Sequence, residues 1–315
     1  MEVTDQILAA VDRWLEREVA PHAAKLEHED VWPAAMVEGM KKLGLFGATI
    51  SPEHGGLGLS AGVYSLIVSR ISEVWMSLTG IFNSHLMMAL LVEKYGSSFL
   101  KGKYLPRFAT GEIRGGLALT EPNAGTDLQA IRLRARREGD SYVLNGTKTW
   151  ISNGIQGSCF AVLAKTDPDA QPRHKGMAML LCEKGPGFGA SRKLEKLGYK
   201  GIDSAELVFQ DYRVPAANLI GEDGRGFHQA VGGLERQVSA RLHPADLPAQ
   251  DGRTRKDEPD VVGLVKKLRG EAQGPRRGRG RLIRPARQGS PLPEQAGPEP
   301  TGPHPLLPSF PHSRC

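Results

Sequence analysis

Residues 117–127 (LALTEPNAGTD) have the pattern of a strand that runs into a tight turn bearing hydroxyl groups. Pro122 and Gly125 favour the turn, and Thr120 and Thr126 flank it. Such a turn exposes backbone N–H groups and short donors at a strand end, where they can hold the polar edge of a flat ring or a phosphate. Taken alone, the spacing favours an ordinary strand-turn over a binding site.

A second stretch, residues 149–154 (TWISNG), places an aromatic side chain close to a hydroxyl group. In an extended strand Trp150 and Ser152 point to the same face. That pair can cover an aromatic cofactor and offer it one hydrogen bond. The alternative is a tryptophan buried beneath the sheet, and for a lone tryptophan this alternative is favoured.

The elements that must position these stretches change in type along the chain. Residues 4–111 have the apolar spacing of helices, with separate helices predicted over residues 61–77 and 81–95. From residue 113 the pattern is that of an all-β domain, with apolar runs CFAVLA and MAMLLC, and Asn145-Gly146 predicts a hairpin turn. A further helical run starts at Phe227 and stops near Arg241.

Composition changes abruptly near residue 240. Residues 241–315 hold 13 of the 22 prolines, 14 of the 41 basic residues and only 8 of the 35 acidic residues, so they carry the whole net charge of +6. A basic folded face is therefore not indicated, and nucleic-acid binding is not expected. The Pro/Gly/Arg-rich residues 274–315 predict disorder.

Several protein classes are excluded by composition. The chain is 40% hydrophobic and 24% charged, which is ordinary for a globular protein and unlike a collagen, a coiled coil or a wholly disordered chain. No uninterrupted apolar run has the roughly 20 residues of a membrane span. The amino terminus does not resemble a secretory signal, and three cysteines without paired or metal-like spacing indicate a reduced, cytoplasmic protein with no metal site.

Together the two stretches resemble motifs of the acyl-CoA dehydrogenase family. The pattern TEPxAGTD is followed about two dozen residues later by NGxKxWISN. Further matches, in family order, are PEHGG with Gly58, KLG at residues 196–198, FQDYRVP at 209–215, NLIG at 218–221 and GRGF at 224–227. The resemblance covers roughly residues 1–240.

The resemblance implies an α+β fold and a domain order. It predicts an amino-terminal helical domain over residues 1–112 and a middle β-domain, a barrel or sandwich, over 113–222. The start of a carboxy-terminal helical domain is expected over 223–241, with that domain otherwise missing and an aberrant tail over 242–315. The family is usually dimeric or tetrameric.

The resemblance also implies FAD as cofactor, an acyl-CoA as substrate and an electron-transferring flavoprotein as acceptor. By the motif match, Thr120 bonds the edge of the flavin ring, Trp150 covers the ring, and the Ser152 hydroxyl reaches near its reactive nitrogen. Thr126 lies where the family contacts the acyl-CoA. The full set of expected flavin contacts is Leu117, Ala118, Leu119, Thr120, Gly125, Thr126, Trp150, Ile151 and Ser152.

The family reaction removes the proton α to the thioester and transfers the β-hydrogen to the flavin as hydride, so it needs a carboxylate base. The family's usual glutamate, near a Gly-Gly-x-Gly turn, has no match after residue 241. Glu235 is the one candidate, and the favoured alternative is that it is a solvated charge on the helix surface. Counted from Gly226-Phe227, however, it falls two residues before the family's alternative Glu-Arg pair, and two residues turn a helix by about 200°.

These departures lead to an expectation of weak flavin binding and impaired dehydrogenase activity. The rival interpretation is a truncated, non-enzymatic product with no stable flavin binding. Three origins of the tail are weighed: a frameshift in GC-rich DNA, which is favoured, a natural short product, and a functional basic tail. The run at residues 276–281 lacks the interleaved aromatic residues that stack on bases.

Overall fold

The computed structural model describes residues 3–239, with side chains for residues 4–232. The predicted disordered tail at 242–315 lies outside the described residues. The helices are α1 (Val3–Trp14), α2 (Ala20–His28), α3 (Ala34–Lys42), α4 (Ala61–Tyr95), α5 (Ser98–Ala109) and α6 (Gly226–Ser239), and a π-helical turn (Leu15–Val19) joins α1 to α2. The strands are β1 (Gly115–Ala118), β2 (Arg134–Glu138), β3 (Ser141–Ser152), β4 (Cys159–Lys165), β5 (Met177–Glu183), β6 (Phe188–Lys193), β7 (Ser204–Pro215) and β8 (Leu219–Ile220).

Helix α4 forms the centre of the helical part. The sequence predicts two helices here, and the backbone at Trp75 is indeed non-helical, with φ −158° and ψ 98°. Among the described helices α4 alone is long and apolar enough to cross a membrane, but 67% of its apolar window is buried inside the protein. Burial on several sides is typical of a core helix in a globular domain.

Eight strands of the described chain form one mixed sheet in the order β6-β7-β3-β2-β4-β5-β8, and β1 lies beside β4. Most pairs are antiparallel, but β1 and β2 both pair with β4 in parallel, so they follow one another along the same side of that strand. This arrangement puts the end of β1 next to the segment that leads into β2. The turn at residues 119–127 is therefore held within the sheet region.

Strand β4 explains why its apolar run is continuous rather than alternating. Cys159, Ala161 and Leu163 belong to the core shared with the helices. Phe160 and Val162 face a second core on the other side of the sheet, which also holds the stacked rings of Phe188 and Phe209, and the ring of Tyr212. A strand covered on both faces needs apolar residues at every position.

The hairpin predicted at Asn145-Gly146 is wrong. These residues lie inside the single strand β3, where the register with β7 shifts between Leu144 and Gly146. Gly146 has φ 141°, so the Asn-Gly pair makes a bulge in the strand. The actual turn between β2 and β3 is at Gly139-Asp140, where Gly139 has φ 58°.

Candidate functional site

Trp150 lies at a break in β3 and faces solvent. The pairing of β3 with β7 is interrupted between Lys148 and Ile151, and Trp150 has φ 57°. The expected alternation of side chains therefore does not apply at this residue. The side chain is 57% exposed, which rules out the alternative of a tryptophan buried beneath the sheet. Because left-handed backbone is costly for a bulky residue, an exposed ring held this way is typical of functional positions.

The turn after β1 follows the sequence prediction. Strand β1 ends at Ala118, and Glu121 and Ala124 close the turn by donating backbone N–H groups to each other's carbonyls at 2.9 and 3.1 Å. Gly125 and Thr126 are exposed beyond the turn. A side chain at position 125 would meet no neighbouring atom within 4 Å, so this end of the turn is open to a ligand.

The two predicted stretches are joined directly. The backbone N–H of Thr149 donates to the carbonyl oxygen of Thr120 at 2.9 Å, so the turn and the Trp150 bulge are adjacent. Thr120 and Ser152 are both half-buried. Within the described part of the chain neither hydroxyl makes a side-chain hydrogen bond. Two half-buried hydroxyls are thus available to a bound molecule beside an exposed aromatic ring.

A buried ion pair that the sequence analysis missed fixes this junction. Lys148 Nζ lies 2.9 Å from the Glu121 carboxylate and donates to the Leu119 carbonyl at 2.8 Å, and the two charged side chains are 0% and 5% exposed. Glu121 also accepts the backbone N–H groups of Arg132 and Leu133 at 2.6 and 3.0 Å. Burial lowers the pKa of Lys148 to about 8, although the Glu121 carboxylate acts in the opposite direction.

Asn153 connects the same region to the helical part. Its amide nitrogen donates to the carbonyls of Ile81 in α4 and Gly115 in β1, both at 2.9 Å, and the residue is buried with φ 60°. Gly116 lies between the Ser84 hydroxyl and the Ser152 carbonyl, leaving no room for a side chain. The sequence signal for these residues is their place inside the two motif stretches. Glu121 and Lys148 are charged residues of the motifs TEPxAGTD and NGxKxWISN, and a search of these motifs for opposite charges would have suggested the pair.

The remaining predicted flavin contacts lie in or against two different hydrophobic cores. The side chains of Ala118 and Ile151 are buried in the core of the sheet, so only their main chain can reach a ligand. Leu117 and Leu119 pack against the core shared with the helices. The residues present fit a flat ring with a polar edge, because hydroxyls and main-chain groups adjoin an exposed indole.

The candidate base cannot be placed in the same way. Glu235 lies on the backbone of α6, but its side chain is outside the described residues. The described start of α6 packs on the sheet: a side chain at Gly226 would collide with the backbone of Ala178 in β5. The position of Glu235 as base therefore stays a prediction.

Comparison with protein-family models gives two matches. Residues 1–112 match the acyl-CoA dehydrogenase N-terminal domain, and residues 116–212 match the acyl-CoA dehydrogenase middle domain. The second match contains the turn, the β3 bulge and the ion pair described above. The matches to family models end at residue 212.

Similar proteins extend this likeness over most of the described chain. The chain is 35% identical over 234 residues to the mitochondrial isovaleryl-CoA dehydrogenase of Pongo abelii, and 38% identical over 226 residues to the acryloyl-CoA reductase (NADH) of Anaerotignum propionicum. These matches cover 73% and 71% of the chain but 55% and 57% of the relatives. The crystal structure of acyl-CoA dehydrogenase from Geobacillus kaustophilus superimposes with a TM-score of 0.70 at 38% identity, covering 76% of this chain and 64% of that one.

Proposed function

Because the chain belongs to the acyl-CoA dehydrogenase family, we propose that it binds FAD at the junction of the turn and the β3 bulge and acts on an acyl-CoA thioester. The observation that carries the proposal is the hydrogen bond from Thr149 N to Thr120 O at 2.9 Å, which brings the hydroxyl-bearing turn to the exposed Trp150. In this proposal the Thr120 hydroxyl binds the polar ring edge, Ser152 donates toward the reactive side, and Trp150 covers the face.

When bound, FAD supplies hydride-accepting chemistry at the carbon β to the thioester. The chain's own contribution is positioning. In the proposal Thr126, exposed at the open end of the turn, contacts the acyl-CoA. Removal of the α-proton needs a carboxylate base, and the candidate Glu235 falls two residues before the position that the family resemblance gives such a base. A base of this kind works best when it is shielded from water, because desolvation raises the pKa of a carboxyl group.

The relatives include both dehydrogenases and a reductase by name, and the direction proposed for this chain is dehydrogenation. Transfer of electrons to an electron-transferring flavoprotein, assembly into dimers or tetramers, and a cytoplasmic location stay predictions from the family resemblance. Because the chain spans little more than half the length of the curated relatives it matches, its substrate and acceptor are proposals as well.

The test is the flavin content of the purified full-length chain. We expect weak binding, so that the absorbance spectrum of bound FAD develops only at high cofactor concentration, and we expect anaerobic addition of an acyl-CoA to bleach it slowly and incompletely. Trp150→Ala should weaken FAD binding about tenfold, because stacking on an aromatic face is worth about 0.5–1.5 kcal/mol or more. Trp32→Ala, in the helical part, is the matched control and should bind FAD as the unmodified chain does.

The rival interpretation, a non-enzymatic chain without stable flavin binding, makes the opposite prediction. It requires that the folded chain takes up no FAD even at high cofactor concentration. Binding of FAD without bleaching by any acyl-CoA would support the cofactor site and contradict the proposed reaction. The two parts of the proposal are therefore separately testable.

A further inference from the structure

A cavity of about 770 Å³ lies along α4. Asn83 and Met87 line it, and the next residue after Asn83 is Ser84, which adjoins Gly116 and thereby Ser152. The second half of α4 therefore lines the cavity and also packs against the candidate flavin site, where Asn153 donates to the Ile81 carbonyl. Its volume is in the range of small-molecule binding sites.

The two halves of α4 form opposite walls of this cavity. The Tyr64 hydroxyl hydrogen-bonds the Asn83 side chain although the residues are 19 apart in sequence. In a straight helix that separation is about 28 Å. The helix therefore turns back on itself at Trp75, where the backbone is non-helical. This bend lies at one end of the cavity. Met76 and Thr79 line the cavity at that end.

Tyr199 closes the same end from the β-domain. Among the described residues that line the cavity it alone comes from the β-domain, and the others belong to the helical part. Its hydroxyl lies directly over Gly80, so closely that a side chain at position 80 would occupy the same space. Gly80 is therefore required for the tyrosine ring to sit against α4.

The Tyr199 ring is held in place by its own loop. Lys196 Nζ donates to the Tyr199 carbonyl at 2.7 Å and lies 5.3 Å from the centroid of its ring. The Glu27 carboxylate accepts the next two backbone N–H groups, of Lys200 and Gly201, at 2.8 and 3.0 Å. The backbone of Tyr199 is left-handed, with φ 62°. Because the Lys196 ammonium and the Glu27 carboxylate hold this loop, the ring should move little when a longer ligand enters the cavity.

We propose that Tyr199 is a specificity-determining residue that sets the longest acyl chain the cavity admits. The inference rests on the proposed function, since it takes the cavity to hold the acyl group. The phenol ring blocks the end of the cavity near the bend in α4 at Trp75. An acyl chain longer than the space between the two halves of α4 therefore collides with the ring. Removing the ring opens the space over Gly80 and lengthens the cavity.

The experiment measures the affinity of the full-length chain for a series of S-alkyl-CoA thioethers, which bind without reacting, from butyl to dodecyl, by calorimetry. Tyr199→Gly is the informative variant because glycine suits the left-handed backbone at this position. Tyr199→Phe keeps the ring and is the matched control. A buried methylene is worth roughly fourfold in affinity, so Tyr199→Gly should raise the affinity for dodecyl relative to butyl at least about tenfold. Tyr199→Phe should leave the ratio unchanged.

Failure of the inference on Tyr199 and failure of the proposed function give different results in this experiment. If the chain and both variants bind the series with the same length preference, Tyr199 does not limit chain length and the inference is overturned while acyl-CoA binding stands. If none of the thioethers binds to the folded chain, the proposed function itself fails, and the inference with it. A thermal melt of each variant verifies the fold, and Gly80→Ala gives a second test. The added methyl displaces the ring and should shift the preference in the same direction as Tyr199→Gly.

Discussion

Two carboxylates anchor loops across element boundaries in this chain, and they are compensated in opposite ways. Glu121, at the flavin-site junction, is 5% exposed and faces the ammonium group of Lys148. Glu27, at the end of α2, is half-buried and accepts its hydrogen bonds from neutral donors: the Trp75 indole at 2.9 Å, the Ser77 hydroxyl at 2.8 Å, and two backbone N–H groups. One loop is held by a buried ion pair, the other by hydrogen bonds near water.

The two arrangements should respond differently to substitution of their residues. A buried pair contributes little net stability, but removal of one partner leaves the other charge uncompensated in a low dielectric. When a half-exposed carboxylate is removed by substitution, water molecules can accept some of the hydrogen bonds that its donors made. The flavin-site junction should therefore be more sensitive to single substitutions than the Glu27 loop, and less sensitive to replacement of the whole pair.

Lys148→Met should have the largest effect on stability. It leaves the Glu121 carboxylate buried without a counter-charge, so we expect a loss of about 3–5 kcal/mol in the free energy of unfolding. Urea denaturation followed by circular dichroism measures it. The variant should also lose FAD binding, because the turn with Thr120 is no longer held against β3.

The double variant Glu121→Gln, Lys148→Met sharpens this prediction. It removes both charges and keeps an amide oxygen for one of the two backbone N–H groups, of Arg132 and Leu133, that donate to the Glu121 carboxylate. We expect it to be more stable than Lys148→Met alone. If the double variant is as unstable as the single one, packing of the lysine chain rather than the buried charge accounts for the loss.

Glu27→Ala should be intermediate. It removes the acceptor from four donors in α4 and the Tyr199 loop. Because water can reach some of these donors, we expect a loss of about 1–3 kcal/mol, below that of Lys148→Met. Glu29→Ala, two residues away and exposed, is the matched control and should change the unfolding free energy by less than about 0.5 kcal/mol. A larger loss for Glu27→Ala than for Lys148→Met would reverse the comparison.

The pH dependence of stability distinguishes the two carboxylates further. Burial acts to raise the pKa of Glu27, but its hydrogen bonds with Lys200, Trp75, Gly201 and Ser77 outweigh burial and lower the pKa from 4.5 to about 2. Between these values the unfolded chain binds more protons than the folded one. The stabilisation by Glu27 is therefore fully present above pH 4.5 and is lost as the pH falls toward 2.

Unfolding measured from neutral pH to acid tests this sign. The stability difference between the unmodified chain and Glu27→Gln should be constant above about pH 5 and should shrink as the pH falls toward about 2. Glu29→Gln, at an exposed residue two positions away, is the matched control. A gap that widens in acid would mean that the Glu27 pKa is raised in the folded chain.

The sequence was sufficient for the family and the α+β fold, and the joint role of the two motif stretches stays a prediction. Continuous apolar runs indicated β4 and β5, and the helical period indicated α4 with its break. What the sequence does not encode locally is pairing over long distances. Asn145-Gly146 has the preferred residues of a hairpin turn, yet pairing of residues on both sides with β7 keeps β3 as one strand with a bulge. Tertiary pairing overrides turn propensity there.

The site shows the same limit. Trp150 could be recognised by type, but its exposure follows from a second interruption in the pairing of β3 with β7, which no spacing rule reports. Glu27 and Tyr199 are 172 residues apart and meet only through the loop that both help to hold. Such contacts are visible only when the helical part and the sheet are placed together.

Trp150→Gly should have the smallest effect on stability and one of the largest on ligand binding. Trp150 is 57% exposed and its backbone has φ 57°. Glycine removes the strain of a bulky residue in the left-handed region, which offsets its greater loss of backbone entropy on folding, so the free energy of unfolding should change by less than about 1 kcal/mol. FAD affinity, measured by fluorescence titration, should fall. A variant that unfolds easily would show that Trp150 supports the sheet. Stability unchanged with binding lost would mean that the strained backbone is retained to present the ring to a ligand, whereas Glu121 and Lys148 act by fixing the strand that presents it.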